Sequence, residues 1–78
     1  MPTILREGPY RFFFFSNEST ESRHVHVESG AGYAKFRLDP VELALSIGYN
    51  GRELNIIRRT VLENVDFFKE KWDAHFGR

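Results

Sequence analysis

The sequence predicts an α+β fold: a small antiparallel sheet of three to four strands, then a short helix, then a long C-terminal amphipathic helix packed on one face. Three observations carry this. Two segments, His24–Glu28 and Tyr33–Leu38, alternate in polarity with period two, as half-buried strands do. A short glycine-containing link, Ser29-Gly30-Ala31-Gly32, joins them in the manner of a hairpin. After Asn50 the apolar period changes to that of a helix. Leu54, Ile57, Val61, Val65, Phe68, Trp72 and Phe76 recur at steps of three and four and form one stripe.

Thr3-Ile4-Leu5-Arg6 is expected as a short first strand, closed by a turn at Glu7-Gly8-Pro9. Tyr10–Ser16 is rich in aromatic residues, which suit strands. Asn17–Arg23 is a polar loop. In the next strand Val25 and Val27 point inward, and in the one after it Ala34, Phe36 and Leu38 do. Asp39-Pro40-Val41-Glu42 resembles a helix start, with Asp39 as N-cap, Pro40 at the first helical position and Glu42 closing a capping box. The resulting helix would end near Gly48; a further strand over 41–46 is the alternative. Asn50-Gly51-Arg52-Glu53 repeats the capping pattern for the long helix. As one helix, residues 51–76 would span roughly 39 Å, against roughly 17 Å for a five-residue strand. The helix must therefore overhang the sheet, break near Asn64-Val65-Asp66, or cover Trp72 and Phe76 with a partner chain.

The chain has 78 residues, enough for a single domain over 1–78. Eleven basic and eleven acidic side chains cancel, and neither half carries a bias, which excludes charged tails and a strongly basic nucleic-acid binder. Cysteine is absent, so disulfides, thiol chemistry and cysteine zinc sites are excluded. No apolar run is long enough to span a membrane and no signal pattern is present, so a cytoplasmic location is expected.

With the valines inward, His24, His26 and Glu28 share the outer face of the sheet. The loop length pairs Glu28 with Tyr33, His26 with Lys35 and His24 with Arg37. Either Phe12 and Phe14, or Phe13 and Phe15, must join them there. One reading is a solvated face with ordinary cross-strand pairs such as Glu28 with Lys35. A second is a face that handles phosphate on RNA or a nucleotide. There His26 is the acid/base, His24 its helper, and Lys35 and Arg37 the phosphate clamp, with Glu28 and Tyr33 completing the site. A third uses His24, His26 and Glu28 as metal ligands, since H-x-H spacing suits two zinc ligands, although Lys35 and Arg37 oppose a cation. His75 stands alone near the C-terminus. No cofactor is expected.

Other motifs carry less. Ser16, Ser19, Thr20 and Ser22 lack the glycines of a nucleophile elbow. Gly30-Ala31-Gly32 opens a strand, unlike a phosphate loop. Asn17-Glu18-Ser19 matches a glycosylation sequon that matters only in a secreted protein. Arg58-Arg59 reads as a solvated helix face.

The order Met1-Pro2-Thr3-Ile4-Leu5, Tyr10-Arg11-Phe12-Phe13-Phe14, Ser16-Asn17-Glu18, His24-Val25-His26-Val27-Glu28 and Ala34-Lys35-Phe36 resembles the short bacterial family of unknown function DUF4160. Asp39-Pro40-Val41, Leu43-Ala44, Glu53-Leu54, Ile57, Val61, Glu63-Asn64 and Trp72 continue the resemblance over nearly the whole chain. It implies a small stand-alone protein, often encoded beside another small domain and suspected to belong to a toxin–antitoxin pair. Family members commonly carry Pro-Pro before the first histidine; Ser22-Arg23 stands there in this chain. The resemblance supplies no catalytic residues. The expectation is a toxin-side component that engages RNA or a nucleotide at the outer face and binds a small cognate protein. The rival is a non-catalytic interaction module or homodimer built on the spare Phe pair and the helix overhang.

Overall fold

The computed structural model describes residues 3–16 and 20–77. The Asn17-Glu18-Ser19 sequon and the Met1-Pro2 start of the family signature lie outside the described residues. Five strands, β1 (Thr3–Glu7), β2 (Tyr10–Phe13), β3 (His24–Ser29), β4 (Gly32–Leu38) and β5 (Val41–Ile47), precede two helices, α1 (Gly51–Glu63) and α2 (Val65–Phe76). The strands form an antiparallel meander in the order β1-β2-β3-β4-β5. No described helix is long and apolar enough to cross a membrane.

The α+β expectation holds, with corrections: the sheet has five strands where three to four were expected. The segment expected as a short helix is the edge strand β5. Asp39 and Pro40, joined by a cis peptide, form the β4–β5 turn instead of capping a helix. The reason is tertiary. Val41 and Leu43 pair with Leu38 and Phe36 of β4 and pack against the core. The pairing with β4 and the burial it gives these side chains outweigh the capping pattern.

The long helix breaks at Asn64, one of the three solutions to its excess length. Asn50 caps α1 through a reciprocal capping box: its Oδ1 accepts from the Glu53 amide at 2.8 Å, and Glu53 Oε1 accepts from the Asn50 amide at 3.1 Å. At the junction the Asn64 side chain donates to the Thr60 carbonyl at 2.8 Å, and its backbone leaves helical geometry (φ −120°, ψ 16°). The break turns the second half of the stripe back onto the sheet. Trp72 and Phe68 are then fully buried, so no partner chain is needed to cover Trp72.

The core lies between the helices and one sheet face. Val25, Val27, Ala34, Phe36 and Leu38 come from the sheet and Ile57, Val61, Phe68 and Trp72 from the helices. Phe12 and Phe14 join them, which settles the Phe pairing: Phe13 and Phe15 belong to the opposite, outer face. Gly48 adopts φ 79°, and a Cβ there would meet the Ala31 carbonyl oxygen at 2.7 Å. Only glycine lets β5 end so close to the β3–β4 turn.

Candidate functional site

The β3–β4 register matches the expected one: His24 opposes Arg37, His26 opposes Lys35 and Glu28 opposes Tyr33. All six side chains belong to the outer sheet face. Exposure is where expectation and structure part. His24 and His26 are only 1% and 2% exposed. Alternation predicts which face a side chain shares; it is silent on what lies across that face.

Aromatic rings cover His26. Phe13 stacks on it at a centroid distance of 5.4 Å, and Tyr33 lies nearly parallel at 5.8 Å. Phe15 meets it edge-on at 4.5 Å, and His24 stands perpendicular at 4.9 Å. His26 Nδ1 and the Tyr33 hydroxyl share a 2.6 Å hydrogen bond. His24 Nδ1–H donates to the Ser22 carbonyl at 2.8 Å, because a carbonyl can only accept. In its neutral form the His24 ring therefore keeps its lone pair on Nε2. The other side of that ring lies 4.8 Å from the Trp72 indole.

The predicted binding residues divide between two clefts. His24, Lys35 and Arg37 line one of about 330 Å³, together with Thr20, Glu21 and Ser22. Glu28 lines another of about 340 Å³ at the β2 side, with Arg6, Arg11 and Ser29. There Glu28 accepts from Arg11 at 2.8 Å instead of pairing diagonally with Lys35. Tyr33 lines neither of these clefts, and its hydroxyl bonds to His26. Among the described residues no three His, Asp or Glu side chains group as metal ligands.

In the first cleft Lys35 Nζ meets Glu21 Oε1 at 3.1 Å. Arg37 faces Glu42 at 3.9 Å, with both side chains more than half exposed. That contact exceeds hydrogen-bond length and, in water, is worth at most ~1 kcal/mol. The Arg37 guanidinium thus remains accessible to an anion. Arg23, which leads into β3, turns away from the cleft and grips Asp73 of α2 through two hydrogen bonds of 2.8 and 2.6 Å. Hydrogen bonding to Asp73 holds its pKa above the usual arginine value, against a smaller desolvation effect. This clamp fixes where the 20–22 segment enters the sheet.

Sequence reasoning missed Thr20, Glu21 and Ser22, read there as an unremarkable polar loop. Their role arises from a contact across fourteen positions, Glu21 to Lys35, for which the local sequence has no signal. It also missed Leu45 and Ile47. They are 47% and 59% exposed on the edge strand and sit beside Lys35 and Tyr33 in the sheet register. Reading 41–47 as a strand would have revealed them. The spare Phe pair, in contrast, forms no open surface: Phe13 is buried and Phe15 half-buried. Arg59 is solvated as expected, while Arg58 is half-buried with its guanidinium 5.7 Å above the Phe36 ring.

The sequence profile of the family described as "Domain of unknown function (DUF4160)" matches residues 10–73. The chain belongs to the DUF4160 family. The matched span runs from the aromatic strand β2 to the α2 residue Asp73; it includes the whole lining of the first cleft of this DUF4160 protein, while Arg6 of the second cleft precedes it. No curated protein and no solved structure matches the chain.

Proposed function

We propose that this DUF4160 protein binds a phosphate group of RNA or a nucleotide in the cleft between residues 20–22 and β4, as one component of a toxin–antitoxin-like pair. The observation that supports this is the convergence of Lys35, Arg37, two hydroxyl side chains and the His24 ring on one cleft of about 330 Å³. Lys35 and Arg37 supply charge, and Thr20 and Ser22 supply neutral donors. A general acid or base must come within hydrogen-bond reach of the proton it moves. His26, 2% exposed and outside the cleft lining, does not meet that condition, and His24, 1% exposed, reaches the cleft only as part of its wall. They act as the floor that positions β3 and the 20–22 segment, and the activity is binding without catalysis.

The test is binding of a 5′-phosphorylated single-stranded RNA oligonucleotide at low salt. The Lys35→Gln/Arg37→Gln double variant, with an unchanged urea midpoint, should lose at least tenfold in affinity. Absence of binding by the wild type overturns the proposal. The toxin side is tested by induced expression in a bacterial host. Wild type and a folded His26→Gln variant should both arrest growth, and the double variant should not. Arrest lost with His26→Gln alone would restore a catalytic histidine.

A second reading, a protein-interaction module, rests on β5. This edge strand carries exposed Leu45 and Ile47 on one face, and an extended segment of a small cognate protein could add to it as a sixth strand. Leu45→Asp/Ile47→Asp should then abolish complex formation with the product of the neighbouring gene in gel filtration and leave RNA binding intact. A concentration-dependent dimer of the chain alone, lost in the same variant, would make the occupant a second copy.

A further inference from the structure

The phosphate cleft already contains an anion. The Glu21 carboxylate, half exposed at the cleft mouth, sits 3.1 Å from Lys35 Nζ. Arg37 is two residues further along the same face of β4, about 7 Å away, and its only acidic neighbour among the described residues is Glu42 at 3.9 Å. We infer that Glu21 sets a charge threshold, so that the cleft accepts a terminal phosphate monoester and rejects an internal phosphodiester. This rests on the phosphate reading above and narrows its ligand class.

Glu21 takes one of the three N–H donors of Lys35, so a ligand that engages Lys35 either displaces the Glu21 carboxylate or sits against its negative charge. A phosphodiester brings one negative charge. Exchanging it for the carboxylate gains little charge interaction and forfeits the existing ion pair. A monoester brings about −1.5 to −2 charges at pH 7 and three acceptor oxygens. One charge replaces Glu21 on Lys35, and the remainder engages Arg37, whose weak exposed contact with Glu42 opposes it little. The hydroxyls of Thr20 and Ser22, lining the same cleft, suit the third oxygen. The arrangement therefore favours a phosphorylated chain end or a mononucleotide over the interior of an RNA strand. No bond is made or broken; the selection is electrostatic.

The experiment compares methyl phosphate with dimethyl phosphate at pH 7.5, read from amide chemical shifts at Thr20, Ser22 and Arg37. The wild type should bind methyl phosphate at least tenfold more tightly than dimethyl phosphate. Its affinity for the monoester should fall as pH drops through about 6, where the dianion takes up a proton. Glu21→Gln should tighten both ligands severalfold and bring dimethyl phosphate into the measurable range. Arg37→Gln should remove the preference for the monoester. Both positions are exposed, and equal urea midpoints confirm that each variant folds. Equal wild-type affinity for the two esters, or a Glu21→Gln variant with unchanged affinities, overturns the threshold and leaves the phosphate reading standing. No binding of either ester to the wild type or to Glu21→Gln removes the phosphate reading, and the threshold with it.

Discussion

Tyr49 and Tyr33 illustrate how one residue type does two jobs in this protein. Burial pushes the Tyr49 phenol above its ordinary value. The hydrogen bond with Ser29 acts the other way, and Tyr10, Glu53 and Glu28 add smaller upward pushes. In the unfolded chain a tyrosine releases its proton at about pH 10. Above that pH the unfolded chain holds fewer protons than the folded one, so stability falls as pH rises. The Tyr49 contribution is complete below this range and is lost on going through the raised folded value. Tyr49→Phe should therefore make the alkaline loss of stability shallower in urea titrations between about pH 9 and 11, one unit either side of the phenol's ordinary value. An unchanged slope would show that Tyr49 does not set that limb. Tyr33 acts through its bond with His26. Tyr33→Phe keeps the ring stacked and removes the hydroxyl, so it should cost about 1 kcal/mol, measured as a shift in urea midpoint. The same variant should leave phosphate affinity unchanged, because Tyr33 does not line the cleft.

At the scale of elements, the same capping grammar had opposite outcomes at two places. Asn50-Gly51-Arg52-Glu53 starts a helix, and its box is formed in both directions. Asn50→Ala should cost about 1 kcal/mol of stability and lower the thermal midpoint of the helical circular-dichroism signal. Asp39-Pro40-Val41-Glu42 starts a strand. The difference lies in what the following residues bury. After Asn50 the apolar positions recur at steps of three and four and fit a groove over the sheet. After Asp39, Val41 and Leu43 reach the core from a strand position, and β4 offers the segment an unoccupied edge. The β3–β4 pairing was fully legible because a period-two pattern joined by a short glycine loop leaves one register that keeps Val25, Val27, Ala34 and Phe36 on the same side. Close packing at that hairpin gives a further test. A Cβ on Gly32 would run into the Tyr49 ring, so Gly32→Ala should destabilise the fold and disturb the Ser29–Tyr49 hydrogen bond.

For the whole molecule, α2 is tied to the sheet from two sides. Trp72 fills the core against Phe14 and Phe76, with ring centroids 5.2 and 4.2 Å away. Arg23 reaches from the entrance of β3 to Asp73, the next residue on the helix. Trp72→Ala should cost about 3–5 kcal/mol, a large part of the ~5–15 kcal/mol that holds a small domain together. Asp73→Asn should lower the urea midpoint with an unchanged m-value. It should also weaken phosphate binding, since the clamp it breaks positions the 20–22 segment; unaltered affinity would separate the clamp from the cleft.

The sequence by itself determined the two alternating strands and their register, the apolar stripe and the cap at Asn50, and it offered the break near Asn64 as one of three solutions. All of these depend on neighbours a few positions apart, and local spacing encodes them. Only the tertiary structure decided that β5 is a strand, that Phe13 rather than Phe12 covers His26, and that both histidines are buried while Lys35 and Arg37 remain at the surface. Burial depends on what is laid over a face. Here the cover comes from Phe13 and Phe15, one of the two pairs that alternation allowed on that face, and from the 20–22 segment, which long-range contacts bring there with no periodic trace in the chain.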